Sequence, residues 1–252
     1  MISLNKVLVA IVCTVLLASC HFTEELYVNE DGSGRIAVSM DGSSFMEMGA
    51  GMIPESEATD ELDTIIKMKD ILDEKRDSIL TLSQSEQQRL KKLEPFMIHM
   101  VMSSSKKKLN FDLTNTFDDI SKLGNMLDDF KTTSSIAQGS KKSVPGMPLM
   151  SGNAEDQMTD VSYSFDGTTF EKSTAILDER AFEESLDSLE QVAMMLGSST
   201  YTIKYHFPRK IKNVSSDKAL FEKDGKSFIL EVDFMDYLRN PKALDVVVEL
   251  EK

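Results

Sequence analysis

Residues 22–41 read FTEELYVNEDGSGRIAVSMD, and their pattern decides the fold of the first part of the chain. Apolar residues alternate on both sides of Asp31-Gly32, a dipeptide typical of tight turns between antiparallel strands. The stretch therefore predicts a β-hairpin. Its acidic turn could also suggest a calcium loop, but it lacks oxygen ligands at alternating positions and a distal glutamate that binds through both oxygens.

The hairpin pattern recurs further along the chain. Alternating apolar residues on both sides of Lys106-Lys107-Lys108 predict a second hairpin, and Asp166-Gly167 predicts the turn of a third. Alternation also predicts strands over 201–207 and 228–234, the latter following Asp224-Gly225, and a terminal strand over 246–250.

Four segments have helical spacing instead. It predicts helices over 60–80, over 84–94 behind a Ser83–Glu86 capping box and before Pro95, over 117–130 with Asp118 and Asp119 in the first turn, and after the capping residue Asp178. Together these elements predict an α+β fold: a mostly antiparallel sheet built from hairpins, with amphipathic helices packed on one face.

The predicted domain organisation is simple. Residues 20–252 are long enough for one large or two small domains, and we expect a single α+β domain with its own core. Residues from about 132 to 160 are rich in Ser, Thr, Gly and Pro and have no apolar period, so we expect a flexible segment there.

The first twenty residues predict the location of the protein. Lys6 precedes an apolar run over 7–17, which is too short for a membrane span and typical of a signal peptide covering 1–19. The run closes on Leu17-Ala18-Ser19-Cys20, which resembles the lipobox of bacterial lipoproteins. The resemblance implies cleavage between Ser19 and Cys20, diacylglycerol on the Cys20 thiol, and an acylated (often palmitoylated) amino terminus. An ordinary secretory signal or an uncleaved anchor is the alternative.

Charge and cysteine usage restrict the partners. The formal net charge is -14, and loss of residues 1–19, which carry Lys6 and no acid, makes it -15. A strongly acidic surface repels nucleic acids and anionic lipid headgroups, so we expect neither as a partner, and we interpret Lys106–Lys108 as a solvated turn. Cys13 leaves with the signal and Cys20 carries lipid, so no cysteine remains for a disulfide, a metal or catalysis.

The sequence offers little catalytic chemistry. His21, His99 and His206 are far apart and lack metal-ligand spacing, and no Gly-x-Ser-x-Gly, P-loop or dinucleotide-binding motif is present. The chain is rich in methionine, which we interpret as core filler or an adaptable binding surface rather than copper ligands. The paired acids are interpreted as solvated helix faces or caps: Glu24-Glu25, Asp118-Asp119, Asp128-Asp129 and Glu183-Glu184. We therefore predict no catalytic residue, cofactor or metal.

A weaker resemblance covers the two ends of the chain, about a third of it. The lipobox followed by residues 25–34, together with residues 205–211 and the Asp224-Gly225-Lys226 turn, resembles poorly characterised envelope lipoproteins of Gram-negative anaerobes. It is also distantly similar to the LppM-like domain of bacterial lipoproteins. The resemblance implies an extracytoplasmic β-rich domain, supplies no catalytic residues, and leaves the central helices unmatched.

Two functions remain open at the level of sequence. The first is a non-enzymatic lipoprotein, held on the membrane by its N-terminal lipid, that binds an envelope protein or assists assembly. The second is a carrier of a small apolar ligand or lipid, for which a continuous apolar cavity would be needed. His21 occupies the position where aspartate retains some lipoproteins in the inner membrane, which favours the outer membrane.

Overall fold

The structure, a computed structural model, describes residues 21–48, 61–124, 158–186, 193 and 196–252. The strands are β1 (His21–Val28), β2 (Gly34–Asp41), β3 (Glu61–Lys67), β4 (Phe96–Ser103), β5 (Lys108–Phe117), β6 (Thr159–Phe165), β7 (Thr169–Ile176), β8 (Thr200–His206), β9 (Ile211–Val214), β10 (Leu220–Phe221), β11 (Ser227–Asp233) and β12 (Val246–Leu250). The α-helices are α1 (Ser43–Met48), α2 (Met68–Glu74), α3 (Arg76–Ile79), α4 (Gln84–Lys91), α5 (Glu179–Leu186) and α6 (Phe234–Arg239). Short 3₁₀ turns cover Ile120–Lys122 and Pro241–Leu244.

The strands form two sheets. Eight of them lie in the order β10-β11-β8-β1-β2-β5-β4-β3, and four in the order β6-β7-β12-β9. Pairing is antiparallel except between β1 and β8, which run parallel. The α+β class and the mostly antiparallel pairing are confirmed, whereas packing of the helices on one face stays a prediction.

The predicted hairpins are present. The first turn has Gly32 at φ +79°, and Asp31 Oδ1 accepts the Ser33 N–H at 3.0 Å. Gly167 has φ +91° in the turn between β6 and β7. These left-handed conformations are cheap for glycine, so the Asp-Gly pairs set the turns.

The Ser83 capping box is also confirmed. Ser83 Oγ accepts the Glu86 N–H at 3.3 Å, and Glu86 Oε2 accepts the Ser83 N–H at 2.9 Å. The helix ends at Lys91, and Leu93 follows as a fully buried residue before Pro95.

The helix predicted over 60–80 is wrong at its start. Residues 61–67 form β3, the edge strand that pairs antiparallel with β4, and helix begins only at Met68. Leu62 and Ile66 fit a helical face and also fit one side of a strand, so the spacing alone did not separate the two. Pairing with β4 decided it and left Ile65 60% exposed on the other side.

The helix predicted over 117–130 is wrong in its described part. Phe117 is the last residue of β5, where it pairs with Gly34. Asp119 caps a single 3₁₀ turn by accepting the Ser121 N–H at 2.9 Å, so its capping role is kept but the helix is not. Residues 125–130 lie outside the described residues.

The predicted flexible segment lies mostly outside the described residues. Its last three residues, 158–160, are described, and Thr159 and Asp160 begin β6. No helix in the described part of the chain is long and apolar enough to span a bilayer.

The two sheets meet face to face through aromatic rings. Phe170 of β7 lies 5.6 Å from Tyr205 and 5.2 Å from Phe207, both measured between ring centroids. Under the β5–β4 part of the larger sheet, the core is mostly aliphatic. It contains Leu90, Leu93, Phe96, Ile98 and Leu113. The smaller sheet covers the part of the larger sheet that contains β1 and β8. The polar cluster described next lies between these two surfaces.

Candidate functional site

The residues predicted to carry the anchor lie outside the described residues. These are the signal peptide over 1–19 and the junction between Ser19 and Cys20. The next residue, His21, is already the first residue of β1, a central strand of the eight-stranded sheet. Phe22 is buried, and its ring stacks on that of Phe234 at 4.3 Å. The first described strand therefore follows directly after Cys20 in the sequence.

A buried polar cluster joins the two sheets, and sequence reasoning missed it. We call it the inter-sheet cluster: Glu24 of β1, Tyr201 and Tyr205 of β8, Tyr163 of β6 and Lys172 of β7. Strand alternation puts Glu24 on the same face as Phe22 and Leu26. Because β1 and β8 are parallel and Glu24 lies opposite Ile203, the two tyrosines of β8 flank the carboxylate.

The Glu24 carboxylate receives hydrogen bonds from every other member. Lys172 Nζ donates to Oε1 at 3.0 Å and to Oε2 at 3.2 Å. Tyr163 donates to Oε1 at 3.2 Å, Tyr201 to Oε2 at 3.1 Å, and Tyr205 also to Oε1. The Lys172 ammonium lies 5.8 Å from the centroids of the Tyr163 and Tyr205 rings. Glu24 and Lys172 are each only 5% exposed. They therefore form a buried ion pair in which each charge has a partner.

The environment fixes the protonation states of the cluster. Burial raises the pKa of Glu24, but the charge of Lys172 and the hydrogen bonds from Tyr205, Lys172 and Tyr201 outweigh it, so the pKa lies below its ordinary value. Burial and then the charge of Glu24 raise the pKa of all three tyrosines well above the ordinary value. The carboxylate is thus ionised and the phenols neutral, and both are closed off from solvent. This arrangement is suited to holding two sheets together.

The interpretation of Glu24-Glu25 as solvated acids is wrong for Glu24. An acid is normally expected at the surface, because burying its charge is costly without a partner. Two signals could have located it: Glu24 is in phase with the apolar face of its strand, and Lys172 is in phase with Phe170 and Thr174. For the other pairs, Asp119 is a cap, Glu183 and Glu184 are exposed on α5, and Asp128-Asp129 lies outside the described residues.

A second polar group lies on the opposite face of β1 and is partly open to solvent. We call it the outer-face network. Glu25 Oε1 accepts from Tyr27 Oη at 2.9 Å, lies 3.1 Å from His206 Nε2, and is 3.8 Å from Lys204 Nζ. The Tyr27 and His206 rings stack at 4.1 Å, and the Arg35 guanidinium lies 5.0 Å from the Tyr27 centroid.

The outer-face network has a serine beside its histidine, which is also the arrangement of a catalytic nucleophile and its base. Ser227 Oγ lies 2.9 Å from His206 Nδ1, while Glu25 contacts the other ring nitrogen. However, Ser227 is 1% exposed, and its hydroxyl donates to Asp224 Oδ2 at 3.0 Å. A nucleophile must reach substrate and give its proton to the base. Ser227 is placed instead to brace the turn before β11.

The three histidines are not brought together. His21 Nδ1 contacts Thr200 Oγ1 at 3.0 Å, and His99 lies between Asp63 at 2.9 Å and Asp112 at 3.5 Å on the β3–β4–β5 part of the sheet. His206 belongs to the outer-face network. Across the described ranges, no group of three or more His, Cys, Asp and Glu is arranged to hold a metal ion.

Comparison with known proteins adds one distant likeness. No protein-family model and no curated protein sequence matches the chain. Among solved structures, the chain is similar to the folded domain of the Mycobacterium tuberculosis LppM protein, determined by NMR. The two are 7% identical with a TM-score of 0.33, and the alignment covers 92% of this chain and 90% of that one. No residue role is carried over from a similarity this distant.

Proposed function

We propose that this chain is a lipid-anchored bacterial envelope protein whose folded domain binds a protein partner and catalyses no reaction. The anchor is supported by the Leu17-Ala18-Ser19-Cys20 junction, and the first described strand, β1, follows it at His21. Removal of residues 1–19 would leave every described element intact. Two or three acyl chains at Cys20 would hold such a domain firmly, since one chain alone binds a membrane only marginally. The outer membrane is the favoured location because of His21.

The non-enzymatic part of the proposal rests on how the reactive groups are used. The Glu24 carboxylate and the Lys172 ammonium satisfy each other inside the protein. Ser227, which lies beside His206, is buried and directed at Asp224. The strongest candidates for chemistry therefore support the fold.

A protein partner is favoured over an apolar ligand by two observations. In the described part of the chain, aromatic rings pack between the two sheets, as Phe170 does against Tyr205, where a carrier would need an apolar cavity. At the edge of the larger sheet, the two-residue strand β10 exposes both of its side chains, Leu220 at 70% and Phe221 at 54%. Apolar residues on an open strand edge are typical of protein contact sites.

Intact mass measurement of the protein purified from the envelope tests the anchor. We expect loss of residues 1–19 and added mass for diacylglycerol and an acyl chain on Cys20. Cys20→Ala should block processing, whereas Cys13→Ala, which changes the other cysteine, should leave it normal. An intact Met1 on the wild type, or a normally processed membrane-bound Cys20→Ala protein, would contradict the proposal.

Crosslinking in intact cells tests the partner. The double change Leu220→Ser with Phe221→Ser should remove a specific crosslinked species. Leu80→Ser, at a site that is 65% exposed and directly follows α3, is the control and should retain it. Equal loss or equal retention in both variants would argue against the β10 edge as the contact.

A further inference from the structure

The register of the larger sheet shows which end of the domain the anchor holds. His21 pairs with Asp41, Asp41 pairs with Asn110, and Asn110 pairs with Val101. These residues lie at one level across β1, β2, β5 and β4. Cys20 precedes His21, so lipid on Cys20 would hold this end of the sheet against the bilayer.

The β4–β5 hairpin extends beyond that level. Beyond Asn110 and Val101, two more residue pairs follow. They are Leu109 with Met102 and Lys108 with Ser103. The chain then turns over residues 104–107. At about 3.3 Å per residue, these pairs and the turn project roughly 7–10 Å past His21. The hairpin tip therefore reaches the level of Cys20 or beyond it, where lipid headgroups would begin.

The tip carries the basic triplet Lys106-Lys107-Lys108, all exposed. Lys107 has φ +50°, a left-handed conformation that glycine adopts more cheaply, and yet a lysine stands there. Among the described residues, one acid contacts the triplet: Glu61 Oε1 lies 3.9 Å from Lys106 Nζ and accepts from Ser105 at 3.2 Å.

Within the described residues, the other acids at this end have partners of their own, and Asp63 Oδ1 lies 2.9 Å from His99 Nε2. Asp41 accepts the Ser43 N–H at 3.0 Å, and Asp233 caps α6 by accepting the Met235 and Asp236 N–H groups. Asp236 lies 3.9 Å from Arg239. Within the described part of the chain, the hairpin tip is thus a local cationic site on a protein of strongly negative net charge.

We propose that the Lys106–Lys108 tip rests on the phosphate groups of anionic phospholipids in the membrane that holds the Cys20 anchor. This inference rests on the proposed lipidation of Cys20. It also departs from the expectation drawn from net charge alone. Screening limits such forces to about 8 Å at physiological salt, so the charges nearest the headgroups decide the interaction, and remote acids count for little.

The opposite end of the sheet supplies a matched control. β1 is eight residues long, so the far strand ends lie roughly 25 Å away, several screening lengths from the lipid. Two exposed lysines lie there: Lys210, which directly precedes β9, and Lys223, in the turn between β10 and β11. Reversing their charge changes the net charge of the protein as much as reversing Lys106 and Lys107.

The test uses the full lipidated protein reconstituted in vesicles of phosphatidylcholine, or of an equal mixture of phosphatidylcholine and phosphatidylglycerol. Ser104→Cys places a fluorophore at the tip, and Lys223→Cys places one at the far end. Cys20 is blocked by lipid in the mature protein, so each label has a single site. Quenching by headgroup-labelled lipid should be strong at residue 104, greater with phosphatidylglycerol, and absent at residue 223.

The charge variants then separate the possible outcomes. K106E/K107E should lose most of the phosphatidylglycerol-dependent quenching at residue 104, and K210E/K223E should retain it. If the protein stays on the vesicles but quenching at 104 is absent, or is unaffected by K106E/K107E, the inference fails while the anchor stands. If the protein does not stay with the vesicles, the proposed anchor fails, and the inference fails with it.

Discussion

Glu24 and Glu25 are neighbours on β1, yet they lie in two opposite environments. Glu24 faces the second sheet, is 5% exposed, and accepts hydrogen bonds from Lys172 and three tyrosines. Glu25 faces outward, where it contacts Tyr27, His206 and Lys204 with its side chain 30% exposed. The pleat of one strand thus separates an interior ion pair from a surface network of similar composition.

Burial changes the role of the same residue type on the two faces of β1. On the outer face, water competes for each charge, so losing one partner costs little. On the inner face, a charge that loses its partner cannot turn to water. The inter-sheet cluster should therefore control whether the sheets stay together, and the outer-face network should affect stability only weakly.

The largest effect is expected from removing one member of the buried ion pair. Glu24→Gln should lower the free energy of unfolding by about 3–5 kcal/mol, because it leaves the Lys172 ammonium buried without a counter-charge. Lys172→Met should cost less, since three tyrosine hydroxyls still solvate the Glu24 carboxylate. The change of both residues to methionine should recover much of the loss. Urea unfolding measures these differences in the free energy of unfolding. A double variant that is less stable than either single variant would contradict the role given to the buried ion pair.

A smaller effect is expected from removing one hydroxyl of the cluster. Tyr205→Phe deletes a donor to a buried carboxylate and should cost about 1.5–3 kcal/mol. Tyr27→Phe deletes the corresponding donor to Glu25 on the outer face and should cost less than about 1 kcal/mol. Thermal unfolding measures the loss of stability in each variant. A larger loss for Tyr27→Phe than for Tyr205→Phe would contradict the comparison between the two faces of β1.

Alkaline pH should act on the inner face in particular. The three cluster tyrosines have pKa values well above 10.0 in the folded protein, so they keep their protons where the unfolded chain releases them. Stability should accordingly be full below pH 10 and fall as pH rises through the folded pKa values. Tyrosinate absorbance should show these three ionising together with unfolding. Their titration in the still-folded protein would contradict the burial described.

Acid pH distinguishes the two faces of β1 less well than alkaline pH does. Glu24 and Glu25 both have pKa values below 4.5, so each contributes stability above that value that is lost as pH falls through its folded pKa.

The smallest effect is expected on the outer face. Glu25→Gln should change the free energy of unfolding by less than about 1 kcal/mol, because His206 keeps its contact with Ser227 and its stack on Tyr27. Chemical denaturation at matched pH checks this value. A loss as large as that of Glu24→Gln would mean that exposure does not separate the two glutamates.

Much of the fold could be predicted from the sequence because its signals are local. Asp31-Gly32 and Asp166-Gly167 fix turns through backbone conformation, and the Ser83 capping box fixes a helix start. The failures occurred where distant partners decide. β3 became a strand because β4 pairs with it, and the parallel pairing of β1 with β8 joins residues about 180 positions apart, as His206 with Glu25 shows.

The inter-sheet cluster could be predicted only in part, for the same reason. Glu24 and Lys172 each break an apolar face, and that is visible in the sequence. Which charge meets which depends on how the two sheets stack, and no local pattern encodes that stacking. The anchor at Cys20 stays a prediction from a sequence motif, whereas the projection of Lys106–Lys108 toward the same end required the strand register.

The most direct measurement is a pair of double-mutant cycles, one on each face of β1. The cycle for Glu24 and Lys172 should give a coupling energy of about 3 kcal/mol or more, since each single change strands a buried charge. The cycle for Glu25 and Lys204, whose charged atoms are 3.8 Å apart at the surface, should give less than about 1 kcal/mol. Equal couplings, or a larger one on the outer face, would contradict the claim that the inner face of β1 holds the two sheets together.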